Sequence, residues 1–161
     1  MDQLTHLDAD GHARMVDVTQ KHPTVRSAAA SGFVHCPPHV VAALRDRTVP
    51  KGDAFAVARI AGIAGAKRCA ELLPLAHVIG VHGVTVDLEL TDEGVRVTAT
   101  VRTADRTGVE MEALTAVAVA ALALVDMVKG LDRTCWVGEV RLEAKSGGRS
   151  GAWQRPEDEA P

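Results

Sequence analysis

Apolar and polar residues alternate in two neighbouring stretches, VTVDLEL (84–90) and VRVTATV (95–101), and the TDEG between them is a turn signal. Period-two alternation puts one side of each stretch on a core, so the pair predicts a β-hairpin. The alternation returns in VGEVRLEA (137–144), a further strand. Val25 to His35 combines small and β-branched residues compatible with a strand, which Pro37 and Pro38 stop. HVVAALRDR (39–47) then reads as a short helix with proline at its start, where proline is tolerated. Asp53 is placed to cap a longer helix, AFAVARIAGIAGAKRCAELL (54–73), which Pro74 ends. The most apolar stretch, TGVEMEALTAVAVAALALVDMVKGL (107–131), is the last predicted helix. Strand, helices, two strands, helix, strand is an order best satisfied by an antiparallel sheet with helices on one face. The expected class is therefore α+β, a ferredoxin-like sandwich.

Composition narrows the picture. The 161 residues fit one domain, with 47% hydrophobic and 24% charged residues, a soluble globular balance. Aromatics are only 2%, so the core must be built from small aliphatic side chains that let helices approach closely. A net charge of −3 argues against broad nucleic-acid binding but allows a local basic pocket for phosphate. Cys36, Cys69 and Cys135 are scattered and odd in number, which suggests free thiols in a reducing compartment. The polar, acidic start MDQLTHLDADG is no signal peptide, and the longest apolar run falls short of the roughly 18 residues of a membrane span. A cytoplasmic protein without membrane or nucleic-acid partners is expected. Residues 1–14 are expected to be a flexible arm, 15–151 one catalytic domain, and 152–161 a flexible tail.

The last predicted helix raises the chemical question, because ionisable groups stand at both ends of an apolar segment. Thr107 and Glu110 match a T-x-x-E capping box, a structural task. Glu112 has no such task. Asp126 lies fourteen residues on, within about 40° of Glu112 around the helix but about 21 Å along it. The two acids cannot share a proton within one helix. They either touch opposite ends of a long ligand or serve different copies of a site shared between subunits. Lys129 is three residues past Asp126, which makes either an ordinary i,i+3 ion pair or a carboxylate and ammonium presented together for proton transfer.

Other candidates are weaker individually. Lys51-Gly52-Asp53 precedes a helix, and helix starts attract phosphate, although a capped loop explains it equally well. KSGGRSG (145–151) offers glycine N–H groups, cations and hydroxyls suited to phosphate, but lacks Walker spacing and reads equally as a flexible tail. His77 in LPLAHVIG can titrate near neutrality, or be an ordinary loop histidine. His35 and His39 have the spacing of helical metal ligands, but Cys36-Pro37-Pro38 breaks any helix between them, so no zinc site is expected. Basic groups beside glycines, with acids on an apolar helix, suit a phosphorylated small molecule.

In order, MVDVTQK, KGDAFAVARIAGI, GAKR, LPLAH, TGVEMEALTAVAVAAL, DMVKG and KSGGRSG resemble the molybdenum cofactor biosynthesis protein C family, from about Met15 to Gly151. The resemblance implies a ferredoxin-like subunit in a homohexamer, a trimer of dimers with active sites at subunit contacts. It implies conversion of 3′,8-cyclo-7,8-dihydro-GTP to cyclic pyranopterin monophosphate, with release of pyrophosphate. By motif, Asp126 becomes the catalytic acid/base, with Lys129 and Lys51 as the catalytic lysines. Leu75, Ala76, His77, Met111 and Glu112 match substrate-contact positions, and Arg26, Lys67 and Lys145 match basic residues facing the triphosphate. No resident metal or organic cofactor is implied; Mg²⁺ would enter only with the triphosphate.

Two departures stand out. Leu75-Ala76-His77-Val78-Ile79 occupies the place of the family's LCHPL, and Cys69 stands where threonine is preferred. These departures keep a non-catalytic paralogue that binds a nucleotide or pterin as an alternative. An oligomeric scaffold for cofactor assembly is the second.

Overall fold

The computed structural model describes residues 7, 8 and 10–156. Five strands form one antiparallel sheet: β1 (Thr24–His35), β2 (Gly83–Leu90), β3 (Gly94–Asp105), β4 (Trp136–Ser146) and the two-residue β5 (Trp153–Gln154). The spatial order is β2-β3-β1-β4-β5. Helices α1 (Pro38–Arg45), α2 (Ala54–Lys67), α3 (Cys69–Leu72) and α4 (Glu110–Val128) pack against it. The β1-α2-β2-β3-α4-β4 path is the ferredoxin-like α+β topology that the alternation predicts.

The register shows why. β1 pairs with β3 along its whole length, from Thr24↔Asp105 to His35↔Gly94. On β3, Val95, Val97, Ala99, Val101 and Thr103 are buried, while Arg96 and Arg102 between them are exposed. The period of two thus delivers one apolar face to the helices. Opposite it lie the small residues of α2 and α4, among them Ala58, Ala113, Ala116, Ala120 and Ala121, all fully enclosed. Gly62 is where the helices meet most closely: a β-carbon there would stand 2.8 Å from the Ala116 carbonyl oxygen. The scarcity of aromatics is thus matched by backbone-close helix packing.

α4 has 19 residues and a mean hydropathy of 2.0, long and apolar enough by composition to cross a membrane. Its apolarity is accounted for by burial between α2 and the sheet, where Ala116, Val117, Leu124 and Val128 have no exposure.

Three local expectations are corrected. The helix predicted for 54–73 is two helices, because Arg68 leaves helical geometry (φ −109°, ψ 12°) and its N–H bonds Gly65 O, three residues back. The break turns Cys69 into the core. The capping box does not form: α4 begins at Glu110, two residues too late for Thr107 to be its N-cap. Thr107 Oγ1 instead donates to the Gly108 carbonyl. The tail expected from residue 152 starts with β5, in which Trp153 pairs with Lys145 and Gln154 with Ala144. Residues 157–161 of that tail lie outside the described residues. So do residues 1–6 and 9 of the expected arm; its described part closes a loop through a Leu7–Ala13 bridge.

Candidate active site

Lys51 is presented by a short built turn. Gly52 adopts φ +101°, which favours glycine, and its N–H bonds Val49 O. Asp53 then caps α2 by accepting from Ala56 N at 3.0 Å. From this turn Lys51 Nζ crosses to the end of α4, where it donates to Asp126 O (2.7 Å) and Asp126 Oδ2 (2.9 Å). Lys129 Nζ holds the other carboxylate oxygen, Oδ1, at 2.7 Å. All three predicted catalytic residues therefore meet. The hydrogen bonds from Lys129 and Lys51, together with their charge, hold the Asp126 carboxyl down at about 2. The carboxylate is 56% exposed, so the cluster faces out of the chain.

The opposite end of α4 is built differently. Glu112 is only 4% exposed, and burial pushes its carboxyl above the ordinary value. The Cys69 thiol lies beside it and offsets part of that rise, and the Thr115 hydroxyl donates to Cys69 Sγ at 3.5 Å. Leu75, Ala76, His77, Met111 and Glu112 line one cleft of about 440 Å³ with Val16, Val18, Lys21 and Arg149. His77 Nε2 lies 2.6 Å from the Val16 carbonyl oxygen. A carbonyl only accepts, so Nε2 carries the proton and Nδ1 is the acceptor of the neutral ring. Lys67 lies at the back of the same region, lining a small hollow with Cys69, His77 and Glu112.

Lys21 and Arg149 also line an adjoining cleft of about 580 Å³, with His22, Thr24, Arg26 and Ser150. Arg26 Nε donates to Thr24 Oγ1 (3.0 Å) and Asp105 O (3.1 Å), which fixes the guanidinium at the cleft wall. Gly148, at φ +72°, leaves room for that guanidinium, which a β-carbon would strike. Lys145 Nζ donates to Ser150 Oγ and so ties down the glycine-rich loop. KSGGRSG is thus an arranged loop beside cations.

One chain therefore divides the predicted residues between two places. Lys51, Asp126 and Lys129 gather at the end of α4. Leu75, Ala76, His77, Met111, Glu112 and Lys67 gather at its start, with Arg26 and Lys145 at the neighbouring basic cleft. The spacing of Glu112 and Asp126 is about 21 Å along the helix. Sequence reasoning singled out neither Lys21 nor Arg149, although both lie inside motifs quoted above. The available signal was their charge, and for Arg149 its place between Gly148 and Ser150.

The MoaC family model matches residues 15–148, from the strand-leading MVDVTQK into the glycine loop. The chain belongs to the MoaC family. It is 58% identical over 159 residues to a cyclic pyranopterin monophosphate synthase of Streptomyces griseus, covering 99% of this chain and 90% of that protein. It is 60% identical over 154 residues to the Streptomyces coelicolor protein of the same name, covering 96% and 91%. A Chloroflexus aurantiacus protein of that name is 52% identical over 156 residues, with 96% of each chain covered.

Within this MoaC chain the two departures have a visible setting. Val78, where the family motif carries proline, is 91% exposed, yet His77 is held by its bond to Val16 and not by the following residue. Ala76 presents only methyl and backbone to the cleft. Cys69 keeps a donor toward Glu112, a weaker one than a threonine hydroxyl. His35 and His39 diverge: His35 stacks on Trp136 at 3.9 Å, and His39 pairs with Asp132 at 3.2 Å. Among the described residues, one trio has donor atoms close enough for a shared cation, the exposed Asp8, Asp10 and His12. Asp8 Oδ1 already accepts from Asp10 N and His12 N, and the trio belongs to neither cluster.

Proposed function

We propose that this chain is a cyclic pyranopterin monophosphate synthase, a lyase of molybdenum cofactor biosynthesis. It takes 3′,8-cyclo-7,8-dihydro-GTP to cyclic pyranopterin monophosphate and releases pyrophosphate. The observation that carries this reading is the double grip of Lys51 and Lys129 on the Asp126 carboxylate in a chain of this family. An acid held ionised between two ammonium groups accepts a proton and has donors beside it.

The cleft of Leu75, Ala76, His77, Met111 and Glu112 takes the purine-derived ring. Leu75 and Met111 supply apolar contact, and His77 Nδ1 and the Glu112 carboxyl supply polar contacts. Arg26, Lys21, Arg149 and Lys145 hold the triphosphate and offset the charge that develops as pyrophosphate leaves. Mg²⁺ enters with the triphosphate, as part of the substrate. A ribose-derived hydroxyl attacks the innermost phosphorus and closes the cyclic phosphate. Asp126 and the two lysines move protons while the purine-derived ring opens and the pyranopterin ring forms.

Proton transfer needs heavy atoms about 3 Å apart, and the two ends of α4 are about 21 Å apart. The working site therefore takes its ring cleft from one copy and its Asp126 cluster from another. The exposure of Asp126 and the apolar residues left outside on α2 and α4, Val57, Ile60, Met111 and Leu122, support such contacts. The assembly proposed is a hexamer, a trimer of dimers, in the cytoplasm. A non-catalytic paralogue has no use for the intact Lys51–Asp126–Lys129 cluster, which disfavours that alternative. Purified protein incubated with the cyclised GTP derivative should release pyrophosphate and form the cyclic phosphate. Binding without pyrophosphate release would reverse the conclusion in favour of the paralogue.

A further inference from the structure

Cys36 and Cys135 are far apart in sequence and play no part in the chemistry above. The sheet brings them together. His35 pairs directly with Trp136 across β1 and β4, so the next step outward in this antiparallel register sets Cys36 opposite Cys135. Directly opposed residues on antiparallel strands have Cα atoms about 4.5–5.5 Å apart, inside the range that a disulfide spans. The two side chains are near enough for each to perturb the other's titration; the Cys36 thiol donates to the Val34 carbonyl at 3.7 Å, and neither cysteine is in a disulfide.

Access is one-sided. Both residues are buried, at 8% and 7% exposure, but Cys36 lines an open cleft of about 510 Å³ with Pro37, Pro38, Asp92, Glu93, Thr134 and Trp136. A small reagent in that cleft meets the Cys36 side, with Cys135 directly behind it. Glu93 on the cleft wall favours a cationic reagent, while Asp92 beside it is already paired with Arg45 at 3.2 Å. The third thiol, Cys69, sits apart, against Thr115 and Glu112.

We infer that Cys36 and Cys135 form a thiol–disulfide exchange site, which a small cationic disulfide converts to an intrachain bond. The Cys36 thiolate attacks one sulfur of the reagent, forming a mixed disulfide and expelling one reagent thiolate. The Cys135 thiolate then attacks Cys36 Sγ and expels the second. Two cysteine thiols are oxidised, the reagent disulfide is reduced to two thiols, and the two cysteine protons pass to the departing thiolates. Burial and the facing Cys135 push the Cys36 thiol up to about 12, so few molecules carry the thiolate and the exchange is slow.

The bond has a structural consequence. Residues 130–135 connect the end of α4, just past Lys129, to β4, and Asp132 already ties this segment to α1 through His39. A Cys36–Cys135 bond adds a covalent anchor at the segment's far end, six residues from Lys129.

The test uses the full-length protein and cystamine, a small dicationic disulfide. After treatment and blocking of free thiols, non-reducing peptide mapping should recover a peptide joining Cys36 to Cys135, cleaved by dithiothreitol, with Cys69 blocked as a free thiol. Cys135→Ser should stop at the Cys36–cysteamine mixed disulfide, while Cys69→Ala should give the same linked peptide as the parent. Hydrogen exchange over 130–134 should slow in the oxidised form. Recovery of no linked peptide, of a link involving Cys69, or of only interchain links would overturn the proposal.

Discussion

The two ends of α4 carry acids of opposite character on one helix. At its start, Glu112 is enclosed, and burial raises its carboxyl above the ordinary value. At its end, Asp126 is exposed and doubly bonded to ammonium groups, which drop its carboxyl to about 2. Proximity to lysine wins at one end and desolvation at the other, although the helix between them is uniformly apolar. One end is suited to hold a ring and to present a carboxyl that is easily protonated. The other is suited to exchange protons at an ionised group. Separating these environments by about 21 Å keeps each from cancelling the other, at the cost of needing a second copy to unite them.

The comparison breaks most sharply at Asp126. Asp126→Asn should lower the rate of pyrophosphate release by about 100-fold or more, the scale of lost general acid–base catalysis. Its fold should be unchanged, since the side chain is exposed on the chain, and its oligomer should persist because Asn keeps the shape of Asp at the contact. A turnover near the parent's, measured by pyrophosphate assay, would remove Asp126 from the mechanism.

Lys51→Met is expected to cost on the order of 10-fold in kcat, by loss of one charge-assisted donor. It should also move the acid limb of the kcat profile upward, because only Lys129 then holds the carboxylate down. An unchanged acid limb would mean that Lys51 does not tune Asp126.

At the other end, His77→Ala should raise KM about 10-fold, the loss of a hydrogen bond of roughly 1.4 kcal/mol, with a smaller change in kcat. A change confined to kcat would place His77 in the proton-transfer steps instead.

Stability sharpens the same contrast at smaller amplitude. A carboxyl raised in the fold favours the native state below its unfolded value and opposes it as pH climbs through the raised value. Glu112→Gln should therefore stabilise the protein at neutral pH, by on the order of 1 kcal/mol, and flatten its pH dependence there. Asp126 has the opposite sign: its pairing stabilises above its ordinary 3.8 and is lost as pH falls toward about 2. That contribution should be small and weakened by salt, because the pair is exposed. Thermal melts of Glu112→Gln and Asp126→Asn across pH 2–8 would read both.

How much of this was legible in the sequence follows the physics of each element. The strands declared themselves because one face is buried, so alternation in VRVTATV maps directly onto burial in β3. α4 declared itself by apolar length. The break at Arg68 was hidden because Ala66, Lys67, Arg68 and Ala70 are all compatible with helix; tertiary burial of Cys69 decides it. The capping box misled because Thr107 and Glu110 have the right spacing, while the backbone turns into helix only at Glu110. β5 was invisible, since two residues carry no period. The Lys51–Asp126–Lys129 cluster was half readable: Asp126 and Lys129 are helix neighbours by spacing, whereas Lys51 stood out only as a cation before a helix start, reaches them through the fold, and owed its catalytic role to family resemblance. Lys21 and Arg149 converge through the fold as well, which no spacing rule could disclose.

The measurement that bears most directly on a site shared between copies is complementation. His77→Ala combined with Glu112→Ala destroys the ring cleft, and Asp126→Asn destroys the proton-transfer cluster, so each protein alone should be nearly inactive. Co-assembled in equal amounts, they should regain about a quarter of the parent's turnover, since random pairing across a shared contact leaves about one site in four with both halves intact. Mixed assemblies, verified by mass, that stay as inactive as their parents would contradict the account.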